Sequence, residues 1–218
     1  MHLSKHQHIL QLLTATVLLM SAFVGKADVP IATDALADDY TPEIVDSLRH
    51  EISLPAIDKK ERQKVREHMR KIAEELYQEK FEVETMREGE VVIATMQTDY
   101  LFPANETTLL ATATSHLDKF KKYISPIGKY KIVLAVHSDN TGSEEYLLDL
   151  TEARINAILD YYESKGIDVT DIIGFPMSDY DPKADNTTRR NRALNRRLEV
   201  YIVPGDGTAN QQKTTKKR

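Results

Sequence analysis

Seven residues decide most of what this chain can become. From Tyr130 to Val136 it reads Tyr-Lys-Ile-Val-Leu-Ala-Val, a run rich in branched residues that stops at His137-Ser138-Asp139-Asn140-Thr141-Gly142. It is too short for a buried helix and apolar enough to be covered on both faces, as a strand inside a layered α/β domain would be. The neighbouring segments fit that requirement. Leu110, Ala113, Leu117, Phe120 and Ile124 recur at helical spacing before it, with Asn105 as candidate cap and Ser125, Pro126 and Gly128 as terminators. Ile155, Ile158, Leu159 and Tyr162 recur after it, closed by Gly166. Further strands are expected at Val91–Met96, at Ile172–Phe175 and at Arg197–Val203, where Leu198, Val200 and Ile202 alternate with Glu199 and Tyr201. A polar loop, Met177–Thr188, and a short basic helix, Arg189–Leu194, precede the last strand. Strands alternating with helices over residues 91–203 predict an α/β fold, with helices packed on a mixed sheet.

The N-terminal part divides into three. Ile9–Val24 is a mainly apolar run of sixteen residues after Lys5, followed by Gly25 and Ala27 at the −3 and −1 positions of a signal-peptidase site, so residues 1–27 are expected to be a signal peptide. Residues 28–57 are acidic, contain three prolines and hold a helical patch near Glu43–Leu54; a linker or loosely docked segment is expected. Residues 58–90 form an N-terminal helix and strand extension. Asp58 with Glu61 makes a capping-box-like start, and Val65, Met69, Ile72 and Leu76 form one apolar stripe. That stripe suits packing on its own domain or on a partner helix. A hairpin then joins the strand from Phe81 to the strand Val91–Met96, with Gly89 in its turn. At the other end, residues 205–218 are expected to be a flexible tail.

Several classes of chemistry are excluded early. With no cysteine there are no disulfides, thiolate metal sites, Cys nucleophiles or lipidated cysteine. The net charge of −5 does not suggest nucleic acid, although Arg189, Arg190, Arg192, Arg196 and Arg197 cluster. His137 has no second His at metal-ligand spacing, and no Ser sits in a nucleophile elbow. No metal, cofactor or enzymatic turnover is therefore expected.

A binding site is expected where strand ends meet helix starts. Asp139 follows the buried strand, in a turn rich in polar groups and exposed amides through Asn140, Thr141 and Gly142. Thr151 looks like the N-cap of the main helix, which would put Arg154 in its first turn. A helix dipole favours anions there, so an Arg in that place is explicable if it holds an anion. Together Asp139 and Arg154 suit a zwitterionic amino-acid head, the carboxylate taking the ammonium and the guanidinium forking onto the carboxylate. A plain ion pair between the two, or two solvated charges, is the alternative.

Three stretches resemble the OmpA-like C-terminal domain family. Val136–Gly142 (VHSDNTG) resembles its GHTDxxG, Leu150–Arg154 (LTEAR) its LSxxRA, and Asp181–Val200 its ending around N-R-R. The order and spacing agree over residues 90–204, and the domain is placed at 91–204. The resemblance implies an OmpA-like mixed-sheet sandwich that binds peptidoglycan without a covalent bond, with Asp139 and Arg154 holding diaminopimelate of the peptide stem. Asn195 and Arg196 are read as bracing the last strand against the loop near Asp139, or as touching the ligand. The sequence departs from the pattern at Val136, Ser138, Leu147, Ile155 and Asn191, and Leu147 stands where the family often has an Asn beside the ligand. The resemblance, together with the leader, implies a periplasmic protein on the cell wall and outer membrane of a Gram-negative bacterium, with peptidoglycan and an outer-membrane protein as partners and homodimerisation left open. Its rivals are a wall-modifying enzyme and a protein-interaction module with a degenerate pocket.

Overall fold

A computed structural model describes residues 43–52, 59–125 and 127–205, all within the unit Thr41–Arg218. The expected signal peptide, the cap at Asp58 and nearly all of the C-terminal tail lie outside the described residues.

The chain forms α1 (Glu43–Glu51), α2 (Lys59–Gln78), β1 (Glu82–Met86), β2 (Val91–Gln97), α3 (Ala113–Leu117), α4 (Lys121–Ile124), β3 (Tyr130–His137), α5 (Glu144–Ser164), β4 (Ile172–Ser178), α6 (Arg189–Asn195) and β5 (Arg197–Pro204). The strands make one five-stranded sheet in the order β1-β2-β5-β3-β4, parallel only between β3 and β4. β4 is an edge, which is where its Pro176 can sit without costing a ladder bond. The last strand of the chain is thus inserted mid-sheet, and the domain is a mixed α/β fold as expected.

β3 is buried on both faces. Ile132, Leu134 and Val136 point into one core with Val92, Ala94, Met96, Leu198, Val200 and Ile202. The stripe Val65, Met69, Ile72 and Leu76 of α2 fills the same core, so residues 59–90 are continuous with the domain rather than appended to it. The β1–β2 hairpin turns at Gly89, whose φ of +86° is open to glycine. Glu90, 1% exposed, accepts from Arg66 Nε at 2.7 Å and tethers this hairpin to α2. Val133, Ala135, Phe175, Met177, Tyr201 and Val203 make up the second face, which Val45 and Leu48 of α1 and Ile52 just after it cover. The described part of the expected linker is therefore a docked helix. The same cover buries Tyr201, which alternates along β5 with Val200 and Ile202 of the first core. Periodicity could not show this, because the second face exists only once β5 has joined the sheet.

Two expected helix starts differ. The helix predicted from Asn105 to Ile124 is broken: Asn105 lies at φ 59° in a turn, and a helix begins only at Ala113, passing through a 3₁₀ turn at 118–120 into α4. The intervening segment is held by Leu110 N donating to Leu101 O at 2.8 Å. The main helix starts at Ser143, not Thr151. Ser143 Oγ accepts from Tyr146 N at 3.3 Å, with Glu144 and Glu145 in the favourable first turn. Thr151 is interior, and its hydroxyl donates back to Leu147 O at 2.9 Å, the usual way such a residue is accommodated mid-helix.

The Ile155 departure is absorbed by Gly174 on β4. A Cβ there would lie 2.4 Å from Ile155 Cγ2, so the strand must be bare where the helix is bulky.

Candidate ligand-binding site

β3 ends in a polar turn locked from below. Ser138 N donates to Ser178 O at 2.6 Å, and Asp139, 4% exposed, accepts from Thr141 N at 2.9 Å and from the Thr141 hydroxyl. Its other oxygen accepts from Arg196 Nη1 at 2.7 Å. Arg196 also forks onto Asp99, with Nε to Oδ1 at 3.2 Å and Nη2 to Oδ2 at 2.9 Å. Burial alone would raise the Asp139 pKa, but the Thr141 hydroxyl, Arg196 and the Thr141 amide outweigh it and hold the carboxyl below its ordinary value. Asp99 raises the pKa of Arg196.

Arg154 reaches the same place from inside α5, almost three turns from the helix start. The dipole argument for its placement falls with the Thr151 cap. A different and stronger oddity replaces it. The side chain is 3% exposed, donates through Nε to Glu106 O at 2.9 Å and through Nη2 to Pro103 O at 3.4 Å, and lies 5.0 Å from the centre of the Phe102 ring. No carboxylate pairs with it among the described residues. Burial lowers its pKa, partly offset by Asp99 and Tyr146. A guanidinium this buried costs free energy unless an anion completes it. The broken turn after Phe102 supplies the carbonyls that aim it.

Asp139 and Arg154 face one cavity of about 490 Å³, together with Asp99, Arg196, Thr141, Phe102, Pro103 and Leu147. The two expected ligand residues therefore meet, but neither pairs with the other, since Asp139 is bonded to Arg196. Leu147 forms part of the apolar wall. Asn140 and Gly142 do not line the cavity; a Cβ at Gly142 would stand 2.8 Å from Tyr146 Cδ1, so the glycine lets the turn close onto α5. Asn195 is fully buried and braces the loop before α6, donating to Ala184 O at 2.7 Å and Asn186 Oδ1 at 2.9 Å and accepting from Ala184 N at 2.9 Å. Arg197 pairs with Glu199 at 2.7 Å, and Arg192 donates to Asn186 O, so three of the five clustered arginines are engaged within the domain. His137 lies on the second face, 3.5 Å from Glu199, where burial lowers its pKa. Among the described residues no group of His, Asp or Glu is arranged to hold a metal. Sequence reasoning missed Asp99 and Phe102, which carry no motif and gain meaning only opposite Arg196 and Arg154.

The model of the OmpA family matches residues 101–196, a span that includes Asp139, Arg154 and Arg196. Residues 101–196 are an OmpA-family domain. Outer membrane protein A of Bordetella avium is 32% identical over 105 residues, covering 48% of this chain and 54% of that protein. The outer-membrane lipoprotein YfiB of Pseudomonas aeruginosa is 30% identical over 111 residues, covering 51% and 66%. The chain spans about half the length of the first curated relatives it matches. In fold, the OmpA-family domain and its flanking elements are similar to a MotB-like protein from Desulfovibrio vulgaris, with TM-score 0.56 at 20% identity over 66% of this chain and 95% of that one. They are also similar to the cell wall anchor of the T6SS from Pseudomonas aeruginosa, with TM-score 0.51 at 23% identity over 62% and 95%.

Proposed function

We propose that this OmpA-family domain binds peptidoglycan non-covalently and anchors the chain to the cell wall, taking the amino-acid end of a diaminopimelate side chain in the Asp139–Arg154 cavity. One observation carries the reading: a buried guanidinium that no carboxylate pairs with among the described residues faces, across a cavity, a carboxylate held ionised by its neighbours. A zwitterion satisfies both walls. Its carboxylate completes Arg154, and its ammonium meets Asp139 and Asp99, whose partner Arg196 keeps them in place. The sequence relatives support the reading, since two of those matched are outer-membrane proteins by name, and a protein of similar fold is described as a cell wall anchor. The cavity is lined by charged and hydrogen-bonding side chains suited to holding a zwitterion. Envelope localisation and an outer-membrane protein partner belong to the same proposal.

Two charge-assisted contacts supply roughly 3–6 kcal/mol before ordering costs, so one stem would be held no more tightly than about tens of micromolar to several millimolar. An oligomer, or a chain joined to a wall-bound neighbour, would gain avidity on the polymeric wall. The test is sedimentation of the purified chain with isolated sacculi, alone and against free diaminopimelate. Wild type should pellet, and Asp139→Ala and Arg154→Ala should stay in solution. Equal sedimentation of all three would show that this cavity is not the wall site. Failure of the wild type to pellet would favour a protein-interaction module, and release of wall fragments would favour an enzyme.

A further inference from the structure

The end of the sheet remote from Asp139 carries charges and apolar groups that the cavity does not use. β3 enters at Tyr130 and leaves at His137, so its start marks that end, with 8 residues, or about 26 Å of strand, in between. Tyr130 pairs with Pro204, and Gly205 N donates to Lys129 O at 3.0 Å, so the chain leaves β5 there. The β1–β2 hairpin turns at the same end, because Val92 stands opposite Ile202 and Ile202 opposite Ile132. The start of α2 joins it through Arg62 and Arg66, both bonded to Glu90 of the hairpin.

Two large apolar side chains stand out into water at this end. Ile127, just before β3, is 56% exposed, and Met86, at the close of β1, is 39% exposed. In the order β1-β2-β5-β3, three strand spacings, about 14 Å, separate their strands, and β5 releases the chain between them. Exposed cations accompany them: Lys59 and Lys64 of α2 and Arg87 of the hairpin turn. Arg87 donates to Arg49 O at 3.4 Å and keeps its charge. Of the acids nearby, Glu51 is matched by Lys131, Glu88 by Arg66, and Glu90 by Arg62 and Arg66. Even with Glu61, Asp168 and Asp171 counted, the balance is positive, because the residues that leave from here, 206–218, hold Lys213, Lys216, Lys217 and Arg218 against Asp206.

A basic run beside isolated apolar side chains matches the surface of a bilayer. The apolar groups enter between headgroups while the cations meet the phosphates. A protein partner would instead cover one continuous apolar surface, and about 14 Å divides these two side chains.

We propose that this end of the domain, together with the basic run at residues 213–218, docks on anionic phospholipid headgroups. The cavity then faces away from the bilayer, so one domain reaches lipid on one side and, under the peptidoglycan reading, the wall on the other. The lipid contact uses none of the cavity residues and stands or falls apart from that reading.

The test is flotation of the full chain with vesicles of phosphatidylcholine alone and of phosphatidylcholine with about 30% phosphatidylglycerol, at about 50 and about 300 mM salt. The quantity read is the preference for the anionic vesicles, since the apolar run at residues 9–24 would enter either kind. Each Lys or Arg at a strongly anionic surface strengthens partition about fivefold. Lys213→Gln, Lys216→Gln, Lys217→Gln and Arg218→Gln together should therefore weaken anionic binding at least roughly tenfold, and the higher salt should weaken it in wild type. Ile127→Ser with Met86→Ser should weaken it roughly three- to tenfold at either salt, because apolar insertion is not screened. No preference for anionic vesicles, a preference that survives the four Gln substitutions, or wild-type binding in the Ser variant would each overturn the docking surface.

Discussion

Replacing Arg154 by Lys separates the two things this side chain contributes. Both residues carry one positive charge, so a site that needs only charge would tolerate the change. The structure argues that it needs a fork. Nε is committed to Glu106 O at 2.9 Å and Nη2 leans on Pro103 O at 3.4 Å, which fixes the guanidinium plane against Phe102 and presents its remaining N–H donors to the cavity. A Lys ammonium that turns to the carbonyls withdraws from the ligand, and one that reaches the ligand leaves those carbonyls without their donor. Either way about one charge-assisted hydrogen bond is lost, worth about 1.5–3 kcal/mol, or roughly a 10- to 150-fold loss of affinity. Arg154→Met, which keeps the stem and deletes the charge, should lose at least as much. Isothermal titration of the diaminopimelate tripeptide into wild type and both variants measures this, with thermal melting to confirm the fold. Wild-type affinity in Arg154→Lys would refute the fork, and wild-type affinity in Arg154→Met would remove Arg154 from the site altogether.

Two further outcomes follow from the packing and the charges. The Asp139 carboxyl titrates below its ordinary value, so its ionised form stabilises the fold fully above the unfolded-state pKa of about 3.9, and that contribution is lost as pH falls through the lower folded value. The difference in melting temperature between wild type and Asp139→Asn should stay constant from pH 7 to about 5 and shrink only below about pH 4; a difference that fades near neutrality would contradict the hydrogen-bonding scheme. Gly174→Ala should destabilise by about 1–3 kcal/mol in urea unfolding because its methyl would overlap Ile155, and Gly174→Ala with Ile155→Ala should recover part of that loss.

Much of the fold is written in local pattern. The stripe Val65, Met69, Ile72, Leu76 and the doubly buried run Tyr130–Val136 each contain enough period to be read alone, and both are buried as the pattern requires. The failures share a cause. Ser143 and Thr151 are both credible caps, and the sequence near each does not say which hydroxyl meets a free amide; the outcome depends on where β3 delivers the chain. Asn105 looks like a cap, but Arg154 takes the nearby carbonyls of Pro103 and Glu106 and holds a turn there instead. α1 covers a face completed by β5, more than 140 residues later in the chain. The site was legible in part. Two of the three motifs point to Asp139 and Arg154, and the cavity joins them, whereas Asp99 becomes relevant only through Arg196, 97 residues away.

The ionised side chains lining the cavity are two aspartates and two arginines, Asp99, Asp139, Arg154 and Arg196. Their charges cancel, so the mouth projects little field beyond a Debye length, and an incoming zwitterion is neither drawn from afar nor repelled. Encounter then proceeds at the ordinary rate for unsteered association. With a dissociation constant of about 10⁻⁴ M and an on-rate of about 10⁶ M⁻¹s⁻¹, each bond would last on the order of 10 ms. Under the proposed function, a chain held by such brief grips would let go of one stem and take the next, following the wall as the mesh is remodelled beneath it.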